Sequence, residues 1–462
     1  MNTRILRIEL KRSLAPWAAA VVLTAALAFL CLTSGGDGLT VAGWTDQWTS
    51  MALTARGPLY FIWPLAGGLG ALQGLRERRS KASELITSTP RPASHRAAVL
   101  SGAMAMPLVF AYATVVLVGG VQVLSNTRYT HLGWLPISLV GALTVVSGAV
   151  LGMGVGRTLP YLLTPPAVAV SMLVFGVLAQ LSTVKADATT GITRWEPSVF
   201  SLLSPALQEA RDVLLTLSVS VHVGQTIWLT GVSATGFALI AAAGRRGRLV
   251  ALTPVLAGAV IAFLVLPRDP RQVYVVDEAA ARLVCDGPVC VTNTHRAQLN
   301  DVAGPGREAL RLMSAALGER APRSIREETA VWPNGSGTRR SSGIALFDFE
   351  DHAVAGAEGT DLTRALIAGS LVPKCSSYAD TISSSDVSAQ SVAASWVLGE
   401  PEPVGKDMAY LSRGRQEEVR EVYGEFRRLP RAEQRSRIAA MYLDAVACKG
   451  DPFVTLGGGA SR

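Results

Sequence analysis

Residues 97–124 read AAVLSGAMAMPLVFAYATVVLVGGVQVL, an apolar run without one Asp, Glu, Lys or Arg. A bilayer core of about 30 Å needs roughly 17 to 25 helical residues, so this run is long enough to cross it. Just before it, residues 76–96 read RERRSKASELITSTPRPASHR, with six Lys or Arg and two Glu. Another apolar run, Pro58–Leu75, lies on the far side of that charge. Charge confined between apolar runs is the pattern of a multi-pass helical membrane protein.

Working outward gives seven apolar segments: Pro16–Thr33, Pro58–Leu75, Ala97–Leu124, Trp134–Val155, Leu159–Ser182, Val221–Ala243 and Leu249–Leu266. None carries an ionised side chain. The first follows a basic start, as a signal peptide does, but six more follow it and no clean small-residue cleavage site appears, so it reads as a retained helix. Ahead of it, NTRILRIELKRSL puts Leu6, Leu10 and Leu14 on one side and basic residues elsewhere, predicting an amphipathic interface helix within residues 1–15.

The chain of 462 residues is basic, and the surplus is unevenly spread. Before Pro267 there are 19 Lys and Arg against 9 Asp and Glu; after it there are 24 against 26. A basic surplus in loops between apolar runs orients a membrane protein, so the expected partner is the lipid bilayer and not nucleic acid. Alternate loops hold Arg4, Arg7, Lys11 and Arg12, then the 76–96 stretch, then Arg157, then Arg245, Arg246 and Arg248. The remaining loops mix Arg56, Arg128, Lys185, Arg194 and Arg211 with acids. The bias predicts a cytoplasmic N-terminus in the cell membrane and, after seven crossings, an extracytoplasmic C-terminal half.

Four of the five cysteines, Cys285, Cys290, Cys375 and Cys448, lie in that half, and Cys31 sits in the first span. An even set outside the cytoplasm fits two disulfides, with Cys285–Cys290 and Cys375–Cys448 favoured among the three pairings; four unpaired thiols are the alternative. Short strands are predicted at 272–276, 282–285, 289–292, 324–331 and 343–349. Helices are predicted at 306–317, 361–371, 387–398, 416–429 and 432–447. The expected fold is a multi-pass α-helical membrane domain over 16–266, an α+β extracytoplasmic domain over 267–455 and a flexible tail, 456–462.

Within the membrane half, Gly148, Gly152 and Gly156 form one small-residue helix face, suited to a subunit contact or, more simply, to packing within the bundle. Residues 197–220 place Leu202, Leu203, Ala206, Leu207, Ala210, Val213 and Leu214 at helical spacing, predicting an amphipathic helix at the outer membrane face.

Catalytic machinery is scarce. His95, His131, His222, His295 and His352 show no metal-ligand spacing, and there is no GxSxG, HExxH or dinucleotide glycine pattern. Asp348, Glu350 and Asp351 could hold a cation or act as an acid and base, but a solvated strand end explains them as well. Asn334-Gly335-Ser336 matches a glycosylation acceptor, a short match that is commonly accidental. The spans offer only neutral polar groups, Gln73, Gln122, Gln180 and Gln225, which disfavours proton-driven transport. Neither an enzyme activity nor a metal is expected. The excess of arginine, 37 to 6 lysines, hints at a GC-rich bacterial genome.

The stretch between the second and third spans resembles the coupling segment of ATP-binding-cassette transporter permeases of the type-2 exporter class. Glu77, Arg78, Arg79 and Ser80 match its charged start, Glu84 and Leu85 its short helix, and Thr89 and Pro90 its turn. The resemblance, which covers about residues 1–248, implies a membrane subunit that docks a separate ATPase chain and works beside a second membrane subunit, as a homo- or heterodimer. The chain has no GxxxxGK[ST] phosphate loop, so no cofactor is expected on it and ATP would bind the partner. Members of that class usually end after six spans, whereas a seventh and an outer domain are predicted here. A non-transporting membrane protein that displays the outer domain as a sensor, binding or immunity module is the alternative, and a membrane-bound hydrolase using the outer acids ranks below both.

Overall fold

The computed structural model describes residues 13–33, 47–79, 92–127, 129–187, 193–206, 213–242, 244–329, 340–349, 351, 353–373, 383–400, 404 and 413–459. The chain divides into two units, Met1–Val275 and Val276–Arg462.

In the first unit, apolar runs become helices because a buried backbone must satisfy its own hydrogen bonds. They are α1 (Ala15–Thr33), the short α2 (Trp48–Thr54), α3 (Leu59–Arg79), α4 (Ala93–Asn126), α5 (Trp134–Thr158), α6 (Thr164–Leu181), α7 (Val219–Ala241), α8 (Gly244–Val250) and α9 (Thr253–Val265). Five helical segments are long and apolar enough to cross a membrane: Ala93–Ser125, Trp134–Thr158, Thr164–Leu181, Val219–Ala241 and Gly244–Val265. The first two expected spans are helical as well, but α3 ends in the charged turn Arg76-Glu77-Arg78-Arg79, and Ala15–Leu30 is a shorter apolar helix. The seventh predicted segment is broken between α8 and α9, where Pro254 lacks the N–H that a continuous helix would need.

Glycines set how closely these helices approach. Trp63 lies against Gly148, Gly67 against Gly152 and Ala71 against Gly156, so α3 and α5 run parallel with backbones almost touching. A Cβ at Gly152 would overlap the Gly67 carbonyl, and one at Gly156 the Ala71 carbonyl. The three-glycine face is therefore used within the bundle and not kept for a second subunit. Gly236 of α7 meets the Val150 carbonyl of α5 in the same way. Against α7, α9 runs antiparallel: Gly231 meets Gly258, and Val255 N–H donates to Thr235 Oγ1 at 2.9 Å.

The described parts of the segment 197–220 depart from the predicted helix. Only Ser201–Leu203 forms a single 3-10 turn, and Leu215–Leu217 (β3) is a strand paired with Tyr274–Val276 (β4). Residues 207–212 lie outside the described residues. Pro197 and Pro205 interrupt any helical ladder, and side chains from the bundle take carbonyls that a helix would have used. Gln225 Nε2 donates to Leu202 O at 2.9 Å, and Gln180 Nε2 to Ala206 O at 3.0 Å. Ahead of it, Val184–Asp187 (β1) and Thr193–Glu196 (β2) form an antiparallel pair.

The second unit is α+β, as expected. Leu283–Asp286 (β5), Val289–Thr292 (β6), Ser324–Glu327 (β7) and Ile344–Phe347 (β8) form one sheet in sequence order. β5 and β6 are antiparallel, while β6–β7 and β7–β8 are parallel. Its helices are α10 (Leu299–Leu317), α11 (Gly359–Leu371), α12 (Ser384–Leu398), α13 (Arg413–Arg428), α14 (Arg431–Val446) and α15 (Pro452–Leu456). α10 starts seven residues before the predicted Gly306, with Pro305 inside it. Its Gly306 sits against Val289, where a Cβ would meet Val289 Cγ2 at 2.8 Å, which holds the helix close to the sheet. Val289, Val291, Ile325 and Ala345 from the strands and Met313, Leu366, Val392, Phe426, Ile438 and Phe453 from the helices are buried in one core.

Candidate functional site

The charged stretch is described only at its two ends, 76–79 and 92–96. α3 ends with Glu77, Arg78 and Arg79 in its last turn. Ser80, Glu84, Leu85, Thr89 and Pro90 lie outside the described residues, and the chain is described again from Pro92, the N-cap of α4. α3, α5 and α7 run the same way, so their C-termini share one end of the bundle. There a Cβ at Gly74 would touch the backbone of Arg157, and Arg248 Nη1 donates to Thr158 O at 3.3 Å. Arg76, Arg157 and Arg248 thus gather at that end, as the alternation of basic loops predicted.

At the other end stands a group that the sequence did not single out. Arg56, read as an outer-loop residue, is 0% exposed in the turn between α2 and α3. Its Nε donates to Pro205 O at 3.1 Å and its Nη2 to Gln225 Oε1 at 2.7 Å, while Nη1 has no partner among the described residues. Both acceptors are neutral, and arginine keeps its charge under physiological conditions. The Tyr112 hydroxyl, also buried without a partner, lies within electrostatic reach of Arg56, as does His222. One turn beyond Gln225, Trp228 Nε1 is buried without an acceptor too. Three of the four glutamines noted as neutral span residues prove structural: Gln225 carries Arg56, Gln180 holds the 200–206 segment, and Gln73 Oε1 accepts from Leu14 N–H at 3.2 Å.

In the second unit, Cys285 and Cys290 face each other across β5 and β6 and form a disulfide. Cys448 is also disulfide-bonded, and its expected partner Cys375 lies outside the described residues. Asn334, Glu350 and His352 lie outside them as well. Asp351 Oδ1 accepts from Ala353 N–H at 3.1 Å, the work of a turn-forming aspartate. No group of three or more His, Cys, Asp or Glu that could hold a metal converges among the described residues.

One acid–histidine pair escaped the sequence. Glu327 is almost fully buried at the end of β7; its Oε1 lies 2.6 Å from His295 Nδ1 and accepts from Thr292 Oγ1 at 3.0 Å, and its Oε2 accepts from Thr292 N–H at 2.6 Å. The His295 ring packs on Phe349 with centroids 4.5 Å apart. The pairing spans 32 residues and depends on the parallel β6–β7 register, which no local spacing encodes. It ties β6, β7 and the His295 ring together. No protein-family description, curated protein or solved structure matches the chain.

Proposed function

We propose that the chain is the membrane permease subunit of an ATP-binding-cassette exporter, coupled to a separate ATPase chain through residues 76–96. The observation that carries this is the charged turn Arg76-Glu77-Arg78-Arg79 at the end of α3. It leads into the stretch before α4 at the bundle end where Arg157 and Arg248 gather. In this reading that basic end is cytoplasmic, the chain crosses the cell membrane seven times, and the second unit is extracytoplasmic. A second membrane subunit completes the path, and ATP is hydrolysed by the partner and not by this chain.

The test is co-purification of the full chain with an ABC-class ATPase supplied in trans. Glu77→Ala, Arg79→Ala and Glu84→Ala together should abolish association and stimulated ATP turnover. Unchanged association would remove the coupling assignment. A reporter fused after Arg462 should give no cytosolic signal; a cytosolic one would remove the seventh crossing.

A specific observation also favours the display alternative. The second unit has its own core and a cross-strand disulfide, the build of a domain that holds its shape outside the cytoplasm. A chain that reaches the membrane and exposes this unit while binding no ATPase would be a display protein.

A further inference from the structure

The end of the bundle where α5, α7 and α8 meet sets positive charge beside exposed apolar side chains. Close glycine contact fixes the arrangement: a Cβ at Gly154 of α5 would lie 2.5 Å from Gly236 O of α7, one turn before α5 ends at Thr158. There Arg248 of α8 reaches α5, its Nη1 donating to Thr158 O at 3.3 Å, while its Nε is buried with no partner among the described residues. Arg157 precedes Thr158, and Arg245 and Arg246 are exposed on α8. No Asp or Glu occurs between Tyr129 and Thr183 or between Val219 and Leu266, so neither α5 and α6 nor α7 to α9 supply a countercharge for these four arginines. On α3 the one acid of the last turn, Glu77, is outnumbered by Arg76, Arg78 and Arg79. The apolar side chains lie in the same two segments. Residues 159–163 join α5 to α6 in a tight loop, held by Thr164 Oγ1 donating to Leu159 O at 2.6 Å and Tyr161 N–H to the same oxygen at 2.9 Å. Leu162 and Leu163 in that loop are 72% and 73% exposed, and Leu249 and Val250, next to Arg248, are 62% and 65% exposed.

We infer that this surface binds an anionic phospholipid, with Arg245, Arg246 and Arg248 on the phosphate and the 159–163 loop and Leu249–Val250 against the acyl chains. The planar guanidinium fork matches two phosphate oxygens, and basic surfaces between membrane helices suit such heads. Apolar side chains this exposed mark a contact surface, and beside arginines they fit an amphiphile whose charge and chains lie side by side. Tyr161, in the loop, suits the headgroup level, where tyrosine is enriched. The charge is complementary because the surface brings several cations and no acid from α5 to α9. The inference rests on the membrane reading and not on ATPase coupling.

The experiment uses the full chain in nanodiscs of phosphatidylcholine alone, of phosphatidylcholine doped with phosphatidylglycerol, and of phosphatidylcholine with glycerol phosphate in the buffer. Native mass spectrometry reads retained lipid, and thermal unfolding reads stabilisation. Phosphatidylglycerol should be retained and should raise Tm, while glycerol phosphate, a head without chains, should do neither. Arg245→Gln with Arg246→Gln should weaken retention about 25-fold, since each arginine near an anionic surface is worth about fivefold. Adding Arg248→Gln should bring the loss to about a hundredfold. Arg248→Gln could disturb the fold through Thr158, so the double variant, which removes no described hydrogen bond, keeps the test decisive. Arg268→Gln with Arg271→Gln, beyond the other end of α9, should leave retention unchanged. An equal loss there would overturn the inference, because the attraction would then be diffuse. So would equal retention of the two lipids, or stabilisation by glycerol phosphate without further gain from phosphatidylglycerol. Variants that keep the lipid yet lose association with an ABC-class ATPase would give the surface to a protein partner and overturn it too. A chain that fails to enter nanodiscs would sink the membrane reading as well, whereas one that enters and shows no lipid preference would sink this inference alone.

Discussion

Arg56 Nη2 donates to Gln225 Oε1 at 2.7 Å across 169 residues of sequence. The same glutamine donates to Leu202 O, so one amide joins the α2–α3 turn, the 200–206 segment and α7. Replacing Gln225 with Leu should leave the guanidinium with a single neutral acceptor and lower stability by about 3–5 kcal/mol, as for other buried charges that lose a partner. Gln225→Glu should do the opposite: it places an anion against the guanidinium and raises Tm. Thermal unfolding of the two variants checks both.

Glycines at the α3–α5 contact should respond oppositely to glycines in open space. Gly152→Ala pushes a Cβ into the Gly67 carbonyl and should cost about 1–3 kcal/mol. Gly102→Ala, in α4 with nothing within 4 Å, should gain up to about 1 kcal/mol from helix propensity. Tm of the two variants in one detergent decides the point.

In the second unit, Glu327→Ala should strip the buried Thr292 N–H of its acceptor and remove one partner of His295. The expected loss is about 1–3 kcal/mol, a fall of several degrees in Tm. Thr292→Val, which keeps the N–H bond and loses only the hydroxyl, should cost less.

Tyr442 makes the second unit sensitive to alkali. Burial raises its phenol to about 12, and its hydroxyl donates to Ser342 O at 2.7 Å. In the unfolded chain the phenol ionises near pH 10, so between about 10 and 12 the folded state holds the extra proton. Its contribution is complete below pH 10 and falls as pH rises through that window. Tyr442→Phe should flatten the alkaline limb of a Tm–pH profile.

Five of the six helices of the second unit were legible, each closing near a glycine or proline; the short α15 was not predicted. The predicted 361–371 and 387–398 match α11 and α12 within three residues. The hairpin at Cys285 and Cys290 was legible because Asp286-Gly287-Pro288 sits between two β-rich runs, and Gly287 takes a positive φ of 59°. Residues 201–206 and 213–217 are not the predicted helix, because helical spacing said nothing of Pro205 and of carbonyls claimed by Arg56 and Gln225. Arg56 itself looked like any loop arginine.

By itself the sequence determined the apolar segments, the basic end of the bundle and the division near residue 270. Those rest on transfer free energy and on charge, which act residue by residue along the chain. Only the tertiary structure decided that Gly148, Gly152 and Gly156 serve α3, that Glu327 holds His295, and that Arg56 is buried with an open donor. Each of these depends on which distant atoms come within hydrogen-bonding or van der Waals reach, and that is a property of packing and not of local spacing.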